Sequence, residues 1–168
     1  MIVLIIPCII NAQSVKNISI SFSKNDFNFQ QENGLLYITS LKYNTLFISD
    51  TLAPALPLIS INVLVDREQD FLDLSVTSNE ELLYSNISIP TNTLEVPSNT
   101  INPPIIKNEP AYLSSNPSLI AQYNHTSIMD GYKLLHFIVS PFRYDAVNHN
   151  LYFTKTININ ISLEKKGH

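Results

Sequence analysis

The sequence predicts an all-β fold, an antiparallel β-sandwich of jelly-roll or Greek-key-like topology with one long proline-rich loop. Three observations support this prediction. Apolar and polar residues alternate through most of the chain from Ile18 onward, as they do in half-buried strands. No segment keeps the 3.6-residue period of an amphipathic helix over three turns. Asn and Ser crowd the connections, and ten prolines lie mostly between the predicted strands, where a missing N–H costs little.

The clearest alternation occurs in segments 59–65 and 157–163, where Ile, Val and Leu at odd positions share one face and most even positions are polar. Shorter runs predict further strands at 18–22, 35–38, 71–77, 82–89 and 151–155.

Segment 132–139 differs from these strands because both of its faces are largely apolar. One face carries Leu135, Phe137 and Val139, and the other carries Tyr132, Leu134 and Ile138. A strand with this composition is expected in the middle of a sheet, covered on both sides.

Segment 91–116 has little alternation and is predicted to be the long loop. The prolines in or beside it are Pro90, Pro97, Pro103, Pro104, Pro110 and Pro117. Loops longer than about 12 to 15 residues are uncommon in compact domains and are usually functional or disordered. Extended proline-rich backbone also suits recognition grooves, so the segment is either a recognition loop or a surface excursion.

Catalytic and metal-binding patterns are poorly represented. His125, His136 and His149 lack paired ligand spacing, so each is interpreted as a satisfied core or rim histidine. The three glycines cannot form a glycine-rich phosphate loop. No catalytic residue, cofactor or metal is therefore expected, and a free-standing hydrolase built on dispersed carboxylates is the weakest hypothesis.

The acidic segment 66–70 superficially has the alternate oxygen spacing of a calcium loop. Phe71 stands where that loop needs glycine, and Thr77 stands where it needs a bidentate Glu. The segment is therefore predicted to be a charged turn between two strands.

Composition limits the partners and the compartment. A formal charge of −4 argues against nucleic acid. The apolar run 2–12 is followed by Gln13 and predicts a signal peptide at 1–13 and a mature domain at 14–168 in a secreted or cell-surface protein; a buried first strand is the alternative. The run is too short for a stable membrane span. Its Cys8 is the only cysteine, so no disulfide is expected.

The run Asp130-Gly-Tyr-Lys-Leu-Leu-His-Phe-Ile-Val-Ser-Pro-Phe-Arg-Tyr144, followed by a hairpin into Leu151, resembles the propeptides of gingipain-type cysteine peptidases. Looser similarity extends over about 18–163. The residues that carry the motif are Asp130, Gly131, Tyr132, Pro141, Arg143 and Tyr144.

The resemblance implies a β-sandwich that assists folding of the peptidase and blocks its cleft. In that family a basic side chain from a long loop can enter the specificity pocket. The corresponding cation here is Lys107, flanked by Ile106 and Asn108; a solvated loop lysine is the alternative. Arg67, in an acidic turn, and Arg143, expected to make a structural contact at a strand end, are weaker candidates.

The implied partner is a gingipain-like catalytic domain, acting in cis or in trans, because none follows the last predicted strand. The alternative is a secreted or cell-surface β-sandwich that binds glycans or proteins through exposed tyrosines such as Tyr112, Tyr123 and Tyr144.

Overall fold

The computed structural model describes residues 13–46, 53–91 and 115–165. Within these ranges the chain forms eleven β-strands and one short 3-10 turn, Lys24–Asp26. The strands are β1 Gln13–Ser21, β2 Phe27–Glu32, β3 Leu35–Ser40, β4 Thr45–Leu46, β5 Leu58–Val65, β6 Gln69–Tyr84, β7 Ser115–Asn116, β8 Ala121–Met129, β9 Tyr132–Val139, β10 Phe142–Asp145 and β11 Asn150–Lys165. The predicted all-β fold is confirmed.

Two antiparallel sheets form the sandwich. The first contains β6, β11, β1, β10 and β7, and the second has the order β4-β5-β9-β8. The chain passes from one sheet to the other between β5 and β6, between β7 and β8, and between β9 and β10. A separate hairpin, β2-β3, packs against the sandwich through its aromatic side chains.

Strand β11 organises the first sheet. Its 16 residues pair with β6 along one side and with β10 and then β1 along the other. The alternation in 157–163 puts Ile157, Ile159, Ile161 and Leu163 into the core, each at most 2% exposed. The predicted strands 151–155 and 157–163 are therefore one continuous strand, in which a register shift against β6 accommodates the irregular stretch between Thr154 and Ile157.

Strand β9 lies between β5 and β8, in the middle of the second sheet as predicted. Its inner face is buried and includes Lys133 and Phe137, which contact Asp70 and Phe71 of β6. The expectation that both faces are covered is wrong. Leu134, His136 and Ile138 are only half-buried and Tyr132 is 61% exposed, because no described strand packs over the outer face.

The remaining differences concern strand ends. The predicted strand 82–89 is correct only as far as Tyr84, where β6 ends, because the backbone of Asn86 then turns into the left-handed region at φ 54°. The predicted charged turn separates β5 from β6, closed by a 3.0 Å hydrogen bond from the Gln69 N–H to the Asp66 carbonyl. Edge strand β8 escaped prediction because polar residues occupy both faces and a register shift falls at Asn124.

The described part of the chain contains no helix of the length and apolar composition that a bilayer crossing requires.

Candidate functional site

The candidate site consists of the residues on either side of segment 92–114 together with β10, the strand that contacts both. We call this group of residues the platform. The description ends at Thr91 and resumes at Ser115 in β7. Both flanks contact β10, which bonds Ile87 through the Tyr144 hydroxyl and pairs with β7 through its backbone. We call residues 85–91 the entry flank and β7 the exit flank.

The entry flank is hydrogen-bonded to two parts of the domain besides β10. The Leu36 N–H donates to the Ser88 carbonyl at 2.8 Å, and the Ala55 N–H donates to the Pro90 carbonyl at 2.7 Å. Ile89 is 1% exposed, and Pro90 and Thr91 are also buried. Because these bonds come from β3 and from the segment before β5, the flank is fixed along its length.

Tyr144 makes the most direct link between the entry flank and β10. Its side chain is fully buried, and its hydroxyl donates to the Ile87 carbonyl at 2.9 Å. Burial raises the pKa of Tyr144, although hydrogen bonds to Ser88 and Ile89 partly offset this. The phenol therefore remains a hydrogen-bond donor at neutral pH.

The exit flank pairs with the backbone of the same strand. Tyr144 lies opposite Asn116, and Asp145 lies opposite Ser115, in an antiparallel ladder. The Asp145 carboxylate accepts from the Val147 and Asn148 N–H groups at 3.1 and 3.2 Å, which closes the turn into β11. Hydrogen bonds from Asn148 are also the main reason that the pKa of Asp145 is lowered.

Arg143 points to the other face of β10 and interacts within the domain. Its guanidinium donates to the Glu80 carboxylate at 2.6 to 3.0 Å and lies 4.2 Å from the centre of the Tyr152 ring. The Glu80 hydrogen bonds are the first cause of a raised pKa at Arg143. This bonding is a structural contact between β10 and β6.

The family-like motif is divided between two ends of β9. Asp130 and Gly131, with φ values of 50° and 82°, form the turn that leads into β9 beside exposed Tyr132. Pro141 is buried at the other end, where its carbonyl accepts from the Thr154 N–H at 2.8 Å. Eight residues of strand separate the two ends by about 25 Å. The motif therefore does not form one site.

Some predicted residues lie outside the described part of the chain, and others lie away from the platform. Lys107, Ile106, Asn108 and Tyr112 lie outside the described residues. Arg67 is exposed in the turn between β5 and β6. The tyrosine platform expected of an adhesive module is wrong for the two tyrosines described: Tyr144 is fully buried, and Tyr123 stacks on Phe71 at 4.1 Å.

The histidines occupy two places. His149 has a left-handed φ of 55°, and its Nδ1 lies 3.2 Å from the Tyr144 hydroxyl. His125 and His136 stack across β8 and β9 with ring centres 4.1 Å apart, and His136 Nε2 lies 2.6 Å from the Ser127 hydroxyl. No group of three or more His, Cys, Asp or Glu side chains placed to hold a metal occurs among the described residues.

We expect His136 to make stability depend on pH below 6.5. Burial, and then the charge of His125, lowers the pKa of His136 from 6.5. The unfolded chain therefore binds a proton that the folded chain resists, so the free energy of unfolding falls as the pH drops through this window. Asp145 contributes only at lower pH, because its pKa lies below 3.8.

Thermal unfolding at about pH 7.5 and about pH 5.5 measures this dependence. The His136→Gln variant keeps a hydrogen-bonding group near Ser127 but does not titrate. It should lose less stability between the two pH values than the unsubstituted protein. An equal loss in both proteins would show that other groups cause the dependence.

Comparison with known proteins relates the whole sandwich to known propeptide structures. The family model Propeptide_C25 matches residues 5–168. The fold is similar to a structure of the complex of Porphyromonas gingivalis RgpB pro- and mature domains, with a TM-score of 0.67 and 15% identity over 94% of this chain and 83% of that chain.

It is also similar to a structure reported for the zymogenic latency of gingipain K from Porphyromonas gingivalis, with a TM-score of 0.64 and 16% identity over 96% of this chain and 97% of that chain. Among curated proteins, no sequence matches the chain. At these identities, the structural similarity establishes a shared fold.

Proposed function

Because the chain belongs to the Propeptide_C25 family, we propose that it keeps a gingipain-type cysteine peptidase latent by blocking the active-site cleft, and that it assists folding of that peptidase. The observation that carries this proposal is the family match over residues 5–168. The platform supports it, because a segment that inserts into a cleft needs both of its flanks held by a stable body.

We propose that segment 92–114 is the part that meets the cleft and that Lys107, between Ile106 and Asn108, mimics the substrate side chain. Lys107 is the only Lys or Arg in that segment. A lysine ammonium paired with a buried acid in a specificity pocket gives both affinity and selectivity. Neighbouring prolines reduce the conformational entropy lost on binding. Arg143 is the weaker candidate because it already bonds Glu80.

A titration against the gingipain-type peptidase of the same organism tests the proposed function. The purified chain should inhibit cleavage of a lysyl or an arginyl peptide substrate stoichiometrically. Absence of both inhibition and binding would overturn the function.

Lys107→Ala should weaken inhibition by about 30-fold or more, because truncating one member of a buried interfacial charge pair is among the costliest interface changes. The inhibition constant measures this effect. Lys165→Ala is the matched control, since it removes an exposed lysine that pairs with Glu68 far along β11. If both variants inhibit like the unsubstituted chain, Lys107 has been assigned the wrong role while the latency function stands.

We also propose that residues 1–13 direct export and are removed, that 14–168 form the propeptide domain, and that this domain has no catalytic activity of its own. The apolar run 2–12 and its small residue at Ala12 support export. N-terminal sequencing of the exported protein tests the boundary, and turnover of peptide substrates by the purified chain would contradict the last proposal.

A further inference from the structure

We propose that Tyr144 is a positioning residue for inhibition, because it holds both flanks of segment 92–114 at once. This inference rests on the proposed latency function and deepens it. The hydroxyl bonds the entry flank at Ile87, and the backbone pairs with the exit flank at Asn116. One residue therefore connects chain positions that are separated by the entire segment.

The entry flank is held at Ile87 through both of its backbone polar groups. Its N–H donates to the His149 carbonyl at 3.0 Å, and its carbonyl accepts from the Tyr144 hydroxyl at 2.9 Å. His149 Nδ1 lies 3.2 Å from the Tyr144 hydroxyl and 3.3 Å from the Ile87 carbonyl. The tyrosine, the histidine and the flank thus form one small hydrogen-bonded cluster.

The exit flank depends on where β10 lies. β7 has two residues, and its ladder pairs them with Tyr144 and Asp145. The Tyr144 ring is fully buried, so its packing sets the position of the backbone that β7 pairs with. A change that loosens Tyr144 therefore affects both flanks, whereas a change at either flank affects only one.

The consequence for inhibition is entropic. A segment whose ends are held in place loses less freedom when it binds than one whose ends move. Removing the Tyr144 hydroxyl deletes one hydrogen bond and leaves the Ile87 carbonyl with a poorer partner. Because binding must then restore the order that the hydroxyl maintains in the free chain, the cost falls on the inhibition constant, which should rise roughly 3- to 10-fold.

Tyr144→Phe is the test, with Tyr43→Phe as the matched control. Tyr43 is also partly buried, and its hydroxyl bonds Asp26 Oδ2 at 3.2 Å, away from both flanks. The inhibition constant against the peptidase should rise 3- to 10-fold for Tyr144→Phe and stay unchanged for Tyr43→Phe. His149→Gln, at an exposed position, should give a smaller rise and serves if Tyr144→Phe fails to fold.

A second measurement needs no peptidase. Hydrogen exchange of the Leu36 and Ala55 amides reports on the entry flank, because these amides donate to Ser88 and Pro90. Tyr144→Phe should accelerate their exchange, while the Phe22 amide, which donates to Lys155, should keep its rate. A general loss of stability would accelerate all three amides.

The outcomes separate the two proposals. If the unsubstituted chain inhibits and Tyr144→Phe behaves like Tyr43→Phe in both assays, the positioning role is overturned and the latency function stands. If the unsubstituted chain does not inhibit, the latency function fails, and the role of Tyr144 in inhibition fails with it. Faster exchange of the Leu36 and Ala55 amides in Tyr144→Phe, with the Phe22 amide unchanged, would then show only that Tyr144 holds the entry flank.

Discussion

Replacing Phe142 by alanine is expected to lower the free energy of unfolding by about 3–5 kcal/mol, the range for deleting a buried phenylalanine side chain. Phe142 is 1% exposed. Its ring lies 4.8 Å from Phe27, edge to face, and 5.3 Å from Phe153. The substitution removes apolar area and leaves a cavity beside rings that belong to two other strands, β2 and β11.

The β2-β3 hairpin should respond most strongly to this substitution. It forms no described ladder with either main sheet, so Phe27 and Phe29 supply much of its attachment, and both rings contact Phe142 edge to face. The backbone bond from Leu36 to Ser88 is a second link. Hydrogen exchange within the hairpin should therefore accelerate more than exchange in β11.

Urea unfolding measures the loss at Phe142. Phe142→Leu keeps most of the volume and should cost less than about 2 kcal/mol. Leu119→Ala, at a side chain that is 60% exposed, should change the free energy of unfolding by less than about 0.5 kcal/mol. If Phe142→Ala cost no more than Leu119→Ala, the ring cluster would contribute nothing to attaching the hairpin.

Local patterns explain why much of the sandwich could be predicted from the sequence. Alternation identifies a strand and its buried face without knowledge of its partners, and segments 59–65 and 157–163 were recognised for that reason. The same reasoning failed on the outer face of β9, because apolar residues such as Leu134 do not reveal whether another layer covers them. That depends on the topology of the whole chain.

The platform could not be predicted because its contacts join residues that are distant in sequence. Tyr144 was recognised as part of a motif, but its hydroxyl partner lies 57 positions away at Ile87. His149 reaches the same cluster through a left-handed backbone conformation that its residue type does not specify. Only the resemblance to a family points to Lys107 and its neighbours, and they lie outside the described residues.

The ion pair between Lys133 and Asp70 also joins distant positions, and it connects the two sheets. Lys133 lies on the buried face of β9 with a side chain that is 8% exposed. Its ammonium donates to Asp70 Oδ1 at 2.6 Å and to the Gln69 carbonyl at 2.8 Å. Both acceptors lie at the start of β6, so one lysine ties β9 to the opposite sheet.

Asp70→Ala is expected to destabilise the domain by about 2–3 kcal/mol, because it leaves a desolvated ammonium without its carboxylate. The estimate is below the range of about 3–5 kcal/mol for fully buried pairs, since the Asp70 side chain is 30% exposed and water can replace part of the interaction. For a domain of this size, thermal unfolding should shift down by roughly 5–10 °C. Lys165→Ala, which breaks an exposed pair with Glu68, should shift it much less.

The double variant Asp70→Ala/Lys133→Met separates the two possible origins of the loss. Methionine fills most of the lysine volume without a charge, so the double variant should recover much of the stability lost in Asp70→Ala. Recovery would show that the cost arises from the unpaired ammonium. If the double variant is as unstable as Asp70→Ala, the loss instead comes from the start of β6, where the Asp70 side chain itself would be holding the strand in place.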